Sequence, residues 1–485
     1  MNLNLHNPEG VWNFFNTILA IPRASGNEKR IIDFIKKFAS DRKLFTKSDN
    51  TGNLLVIKEA SAGCQDYRPV MLQAHVDMVC EKDKDFEFDF SKDTIPAYVD
   101  GDFVKTRGTT LGADDGIGVA VMLAVLDSKE LKFGKIGCLF TVSEEVGLIG
   151  AKRLDKSLLD GFDTLINLDS EESNIFYIGC AGGEGTNADF NYEKIQVNDN
   201  YIYKKITVSG LLGGHSGGDI HKKRCNAILI LNRLLWLFQK KTDFCLVSFN
   251  GGGLRNAIPR DAEAVIAFAP ELEESFYKIY NYYLIDTKGI FAESDPGLTI
   301  SVTDTDKTGT CIDHATRRNL ICTLRGVPNG VIEMSESIPG IVETSTNVAS
   351  VKFAQSSNKI QVVTTQRSLL ELEKALICEK IETIFTMGQA NVVHTNNYPG
   401  WSPNVDSNIL KIAKFSYKRL FGEEPIVTSI HAGLECGILK NKNTALDMIS
   451  LGPTITGVHS PSETLDIKSV EKIWTLLVAI LREMK

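Results

Sequence analysis

The run Val70-Met71-Leu72-Gln73-Ala74-His75-Val76-Asp77 decides how this chain is read. A short, mostly apolar stretch leads straight into an imidazole and a carboxylate. Such a run reads as a buried strand, and His75 and Asp77, two residues apart, then point to one face of it. Three further apolar runs end in the same way. Cys138–Ser143 (CLFTVS) leads into Glu144-Glu145, and Leu165–Leu168 (LINL) leads into Asp169. Asp447–Gly452 (DMISLG) leads through a Pro/Thr/Gly loop into His459-Ser460-Pro461. A fifth acid, Asp114, lies in the glycine-rich loop Leu111–Gly116, ahead of a helix expected over Gly116–Leu126. Open α/β sheets gather ligands beyond the carboxyl ends of their strands, so these side chains converge if the four strands are parallel neighbours.

The surrounding sequence supports that sheet. Helices are expected over Val11–Ala20, ending at Ile21-Pro22, and over Arg30–Leu44, where Ser25-Gly26-Asn27-Glu28 fits a capping box. Asn53–Ile57, Ile136–Val142 and Thr164–Leu168 read as further buried strands. Strands alternating with helices predict an α/β domain with a central, mostly parallel sheet. After Asp169 the texture changes to alternating strands (Lys205–Ser209, Lys359–Thr365), one strong helix (Ala227–Phe238) and glycine clusters. The α/β texture returns at Ser407–Phe421, Thr444–Ser450 and Val470–Met484. The expected organisation is one domain from residues 1–186 and 394–485, interrupted by an inserted α+β domain at 187–393. The insert is long enough for two half-lobes, with Asn250–Pro259 and Val342–Val348 as equivalent positions.

Composition limits the function classes. With 485 residues, the length alone suggests about three domain-sized units. The chain is 43% apolar and 24% charged, which excludes a mainly disordered, collagen-like or coiled-coil protein. A net charge of −8 without basic blocks makes nucleic acid an unsuitable partner. No apolar run is long enough to span a membrane. The N-terminal MNLNLHNPEG has neither a basic nor an apolar signal region, so no signal peptide is expected. None of the ten cysteines forms a CxxC pair, and they read as buried free thiols in a reducing cytoplasm.

Two imidazoles and three or four carboxylates in one cleft suit two zinc-type ions, with a carboxylate bridging a pair about 3.5–4 Å apart. Asp77 is placed to orient His75. Of Glu144 and Glu145, adjacent at a strand end, one can bind metal while the other reaches water. Taken singly, each residue has a plainer reading: Asp114-Asp115 as a helix cap, Glu144-Glu145 as a solvated strand end, His459 as a turn residue. Those readings do not explain why all of them follow apolar runs or sit in a glycine-rich loop.

The strings HVD, GADDGIG, SEE, LDSEE and GVHSP, with GCAGGEG, GGHSGGDIH, NGGGLRNAIPR and HAGLECG, resemble the co-catalytic metallopeptidases that include aminoacylase, carnosinase and the glutamate carboxypeptidases. The resemblance runs from His6-Asn7-Pro8 almost to the C-terminus. It implies a zinc-peptidase-like catalytic domain with an inserted lid, and a dipeptidase whose substrates include Xaa-His dipeptides. It implies two Zn2+ per chain, with Co2+ or Mn2+ as substitutes. His75 and Asp169 would hold one ion, Glu145 and His459 the other, and Asp114 would bridge them. Glu144 would be the general base acting on zinc-activated water, and Asp77 would orient His75. His215 would be the lid's donor to the oxyanion. Arg367, with Asn256, would take the substrate carboxylate, and Glu435 the substrate ammonium. The same resemblance leaves open another amide hydrolase, an aminoacylase or tripeptidase, and a non-catalytic peptide-binding protein. No membrane partner is expected, and a homodimer is an open alternative.

Overall fold

Strand Val70–His75 is buried along its whole length. That is what a strand covered on both faces requires of an unbroken apolar run. It pairs in parallel with Ile136–Thr141 on one side and Thr164–Asn167 on the other, and Asp447–Ser450 continues the parallel set. The computed structural model describes residue 3, residues 5–354 and residues 356–485. Residues 1, 2 and 4 of the N-terminal stretch read for a signal peptide lie outside these.

The four parallel strands form the centre of an eight-stranded sheet. Its order is Phe45–Ser48, Leu54–Lys58, Ile136–Thr141, Val70–His75, Thr164–Asn167, Asp447–Ser450, Ile175–Cys180, Ile426–Ile430. Leu54–Lys58 and Ile175–Cys180 join the parallel core in antiparallel fashion, so the sheet is mixed. Helix Ala113–Asp127 packs on Val70–His75 and on helix Glu9–Ile18, and is buried from Gly116 through Leu126. Helix Asn408–Phe421, capped by Ser407, packs on Asp447–Ser450 and on Ile467–Glu483. These elements form one compact unit of Met1–Cys180, Trp401–Ser429 and Leu434–Lys485.

A second compact unit comprises Ala181–Gly400 and Ile430–Gly433. The chain therefore divides into two units rather than the three suggested by length. The second starts before residue 187 and ends after residue 393, because strand Gly182–Asn191 pairs along its length with Lys359–Ser368 and with Asn391–Tyr398. The return of Ile430–Gly433 to this unit had no signal in the sequence. Among the described residues its sheet has nine strands, paired antiparallel throughout. Among the described residues, strand Cys245–Gly252 pairs with strand Val342–Ala354 at Gly251–Val351 and Gly252–Ser350, joining the two halves of that sheet. A continuous apolar core, including Phe238, Phe268, Phe276, Leu320 and Phe385, runs beneath both.

The capping box is not formed. Helix Lys29–Asp41 starts without a side-chain cap, while Ser25 donates to Asp77 Oδ2 at 2.7 Å. Glu28 accepts from the Ser143 backbone N–H and hydroxyl at 3.0 and 2.8 Å. Long-range partners at a buried site outcompete the local cap. Of the ten free cysteines, eight are buried, but Cys80 is half-buried and Cys322 is exposed, against the expectation that all are buried. Among the described residues, no helix is long and apolar enough to cross a membrane.

Candidate metal centre

The parallel strands deliver their terminal side chains to one place in the first unit. His75, the last residue of its strand, is 1% exposed. Its Nε2 lies 3.0 Å from Asp114 Oδ1 and 3.4 Å from Asp169 Oδ1. His459 Nε2 lies 3.1 Å from Asp114 Oδ2 and 3.0 Å from Glu145 Oε1. Asp114 thus stands between two imidazoles, one on each carboxylate oxygen. Asp115 is turned away: it is buried, and its Oδ1 accepts from the Gly118 N–H at 3.1 Å, capping the helical turns that begin beyond Asp114 and Asp115, whose own φ/ψ are not helical.

Asp77 organises both edges of this cluster. Its Oδ1 is 3.4 Å from His75 Nδ1. Its two oxygens also accept the backbone N–H groups of Glu144 at 3.0 Å and Glu145 at 3.2 Å. Despite burial, His75, Ser25 and the Glu144 amide hold its carboxyl down at about 2. Ser143 takes a positive φ of 52°, turning the chain at the strand end. That turn lets adjacent glutamates serve one site, which an extended strand would forbid.

Among the described residues, three overlapping groups have ligand atoms within 4.8 Å of one another: His75, Asp114 and Asp169; His75, Glu144 and Glu145; Asp114, Glu145 and His459. Asp114 belongs to the first and third. Nitrogen and carboxylate donors without sulfur suit borderline to hard divalent ions. The electrostatics also favour a cation. Burial, reinforced by neighbouring carboxylates, pushes Glu144 well above the usual range and Asp169 up to about 6. Hydrogen bonds to Asp114 and Glu145 push His459 up to about 11. Crowded carboxylates that draw protons onto themselves and onto neighbouring imidazoles fit a site built for a metal.

Several residues at this site carried no functional signal in the sequence. Gln73, two residues before His75, donates to Glu435 Oε2 at 2.6 Å and accepts from Asn167 at 2.7 Å. Asn167 in turn accepts the Asp169 N–H at 3.3 Å. Glu435 also accepts from Thr141 at 2.6 Å and has no exposed surface. Glu435, expected to meet the substrate ammonium, thus braces the strand ends from beneath through Oε2, while among the described residues its Oε1 has no hydrogen-bond partner. Glu171, half-buried two residues after Asp169, is pushed up to about 8 by burial and by Asp114.

His215, Asn256 and Arg367 lie in the second unit. Strand Gly214–His215 pairs with Ala257–Ile258. His215 Nδ1 accepts the N–H groups of Gly217 and Gly218 at 3.2 and 3.1 Å, so its proton resides on Nε2. Burial and the charge of Arg367 lower its pKa, which keeps the ring neutral. Arg367 Nη1 donates to the Tyr398 hydroxyl at 2.8 Å, and among the described residues its buried Nε has no hydrogen-bond partner. Asn256, Arg255, Arg367 and Tyr398 line one cavity of about 170 Å³.

The profile of peptidase family M20/M25/M40 matches residues 71–483, a span that includes every ligand candidate of the metal centre. The chain belongs to peptidase family M20/M25/M40. It is similar to the cytosol non-specific dipeptidase of Escherichia coli strain K12, with 39% identity over 477 residues, covering 98% of each chain. It is also similar to the crystal structure of aminoacylhistidine dipeptidase from Vibrio alginolyticus. There the TM-score is 0.90 at 37% identity, covering 98% of this chain and 96% of that one. The aminopeptidase PepT from Bacillus cereus shares the fold, with a TM-score of 0.62 at 17% identity over 99% of each chain. Membership of the M20 family makes this chain a hydrolase of the peptidase class, built on the mixed α/β sheet described above.

Proposed function

We propose that this chain is a cytoplasmic metallo-dipeptidase that hydrolyses dipeptides, Xaa-His dipeptides among them. Asp114 carries the reading: its two oxygens stand 3.0 and 3.1 Å from two different imidazoles, the arrangement of a carboxylate shared between two cations. On this reading His75 and Asp169 hold one Zn2+, Glu145 and His459 the other, and Co2+ or Mn2+ substitute. When bound, such ions supply Lewis-acid polarisation of the scissile carbonyl and acidify water. The names of the Escherichia coli and Vibrio relatives support the dipeptide class and, for the former, the compartment.

The chain's own residues do the rest. Glu144 takes a proton from the attacking water as oxygen adds to the carbonyl carbon, then returns it to the departing amine as the C–N bond breaks. Asp77 fixes the His75 ring and the Glu144 backbone throughout. His215 donates its Nε2–H to the carbonyl oxygen as negative charge develops. Arg367 suits the substrate's terminal carboxylate, with Asn256 beside it. The test is hydrolysis of Leu-Gly, β-Ala-His, a tripeptide and an N-acetyl amino acid, before and after chelation and on readdition of Zn2+. Metal-dependent cleavage confined to the dipeptides is the expected outcome. Preference for the tripeptide or the acetylated substrate would replace the reading with tripeptidase or aminoacylase. Binding without turnover would make the chain a peptide-binding protein.

A further inference from the structure

Two buried charges of opposite sign grip the loop that carries Asp114. Glu463 is 2% exposed and accepts four consecutive backbone N–H groups. Its Oε2 takes Leu111 at 2.7 Å and Gly112 at 3.0 Å; its Oε1 takes Ala113 at 2.8 Å and Asp114 at 3.3 Å. Arg23, also 2% exposed, grips the other side. Its Nη1 donates to the carbonyls of Val76 at 3.1 Å and Asp77 at 2.7 Å, and its Nη2 donates to the carbonyl of Gly112. The guanidinium therefore ties the segment just beyond His75 to the loop that presents Asp114. Glu463 follows His459 by four residues, so the carboxylate ties the His459 segment to the same loop.

The glycines of LGADDGIG fit this arrangement. A Cβ on Gly112 would stand 2.5 Å from Arg23 Nη2 and 2.8 Å from Met78 Sδ, and a Cβ on Gly116 would stand 2.6 Å from the same nitrogen. The guanidinium occupies the space that side chains would need. Capping the following helix does not call for Glu463, because Asp115 already accepts from Gly118. A carboxylate saturated by four amides is a holder of backbone shape.

We propose that Glu463 and Arg23 are positioning residues, a charge clamp that holds residues 111–114 against residues 76–77 and so keeps both oxygens of Asp114 in reach of His75 and His459. Neither residue belongs to the three groups of candidate metal ligands. The inference rests on the reading of Asp114 as the ligand shared by two ions, and the experiment separates the two. The full-length protein is stripped with chelator and titrated with Zn2+ by calorimetry, and with Co2+ by its visible spectrum. Glu463→Gln, which keeps size and removes charge, should weaken at least one binding step by about 10–100-fold. At saturating Zn2+, KM for Leu-Gly should stay close to that of the unaltered protein. Glu463→Asp, which keeps the charge, should recover part of the affinity. Arg23→Lys, which keeps charge but loses the fork, should weaken binding less than Glu463→Gln. Should Glu463→Gln fail to fold, Glu463→Asp and Arg23→Lys carry the same comparison. Unchanged Zn2+ affinities in the folded variants, even with a lowered unfolding temperature, would reduce the clamp to ordinary structure and overturn the proposal. Asp114→Asn is titrated alongside. If it still binds two ions, the shared-ligand reading itself fails; if it loses one while the clamp variants lose nothing, only the clamp fails.

Discussion

Glu144 and Glu145 are adjacent, both offer ligand atoms within 4.8 Å of one of His75, and both hang from Asp77 through their backbone N–H groups. Exchanging each for glutamine separates proton transfer from metal binding. The backbone of residue 144 stays pinned in Glu144→Gln, since Asp77 holds the amide and not the side chain. The substitution therefore removes a base and leaves the scaffold. General acid–base catalysis contributes roughly 10²–10⁴-fold, or about 2.7–5.4 kcal/mol of barrier, and one residue serving both proton transfers places Glu144→Gln toward the upper end. Glu145→Gln instead removes charge from an oxygen 3.0 Å from His459 Nε2, where the third ligand group converges. A neutral amide is a poorer ligand, so its metal affinity should fall by at least about tenfold. The assay pairs kcat on Leu-Gly at saturating metal with metal content per chain by elemental analysis. Glu144→Gln should retain its full metal content and the KM of the unaltered protein while kcat collapses; Glu145→Gln should arrive metal-depleted and recover partly on added Zn2+. The opposite pattern of metal loss exchanges the two roles. A Glu144→Gln protein with near-normal turnover would refute general-base catalysis by this residue altogether.

Asp77→Asn should weaken metal binding by about 10–100-fold, because its NH2 cannot replace an oxygen that accepts from Ser25, Glu144 or Glu145; calorimetric affinities equal to those of the unaltered protein would contradict this. Gly452→Ala should be severely destabilising, by about 3 kcal/mol or more, since the new Cβ would stand 1.8 Å from the Ser170 carbonyl oxygen beside Asp169; an unfolding midpoint in urea close to that of the unaltered protein would show that the backbone yields there. His431, buried against Ser345 at 2.7 Å, is held down at about 3 by burial and by Arg367. It stays neutral where an unfolded histidine would charge, so its contribution is present above about pH 6.5 and is lost as pH falls, by about 2 kcal/mol between pH 7 and pH 5. His431→Gln should flatten that part of the stability–pH curve, and an unchanged slope would remove His431 as its source.

Much of the first unit is legible without coordinates. An apolar run ending in His75, Glu144-Glu145 or Asp169 records two local facts, burial along a strand and a polar side chain at its end. The parallel arrangement of Val70–His75, Ile136–Thr141, Thr164–Asn167 and Asp447–Ser450 then follows from the rule that such strands gather their termini on one edge. What the local pattern cannot hold is partnership between distant segments. Ser25 and Glu28 satisfy a capping box on paper, yet they bond to Asp77 and Ser143, 52 and 115 positions away. Asp114 and Asp115 stand side by side in the string, and family resemblance favours the first; the turn of the loop is the physical reason, sending one to the imidazoles and the other into a helix cap. Glu435 has the spacing of an exposed helix acid and becomes a buried brace because Gln73 and Thr141 reach it from two strands. Glu463 looks like one more polar residue after a turn, and its four amide donors lie about 350 residues earlier in the chain. Strand ends and apolar runs are set by neighbours in the chain, so the sheet and its ligand edge can be read from local pattern alone. Which carboxylate meets which amide depends on strand order and register, and these exist once the chain has folded.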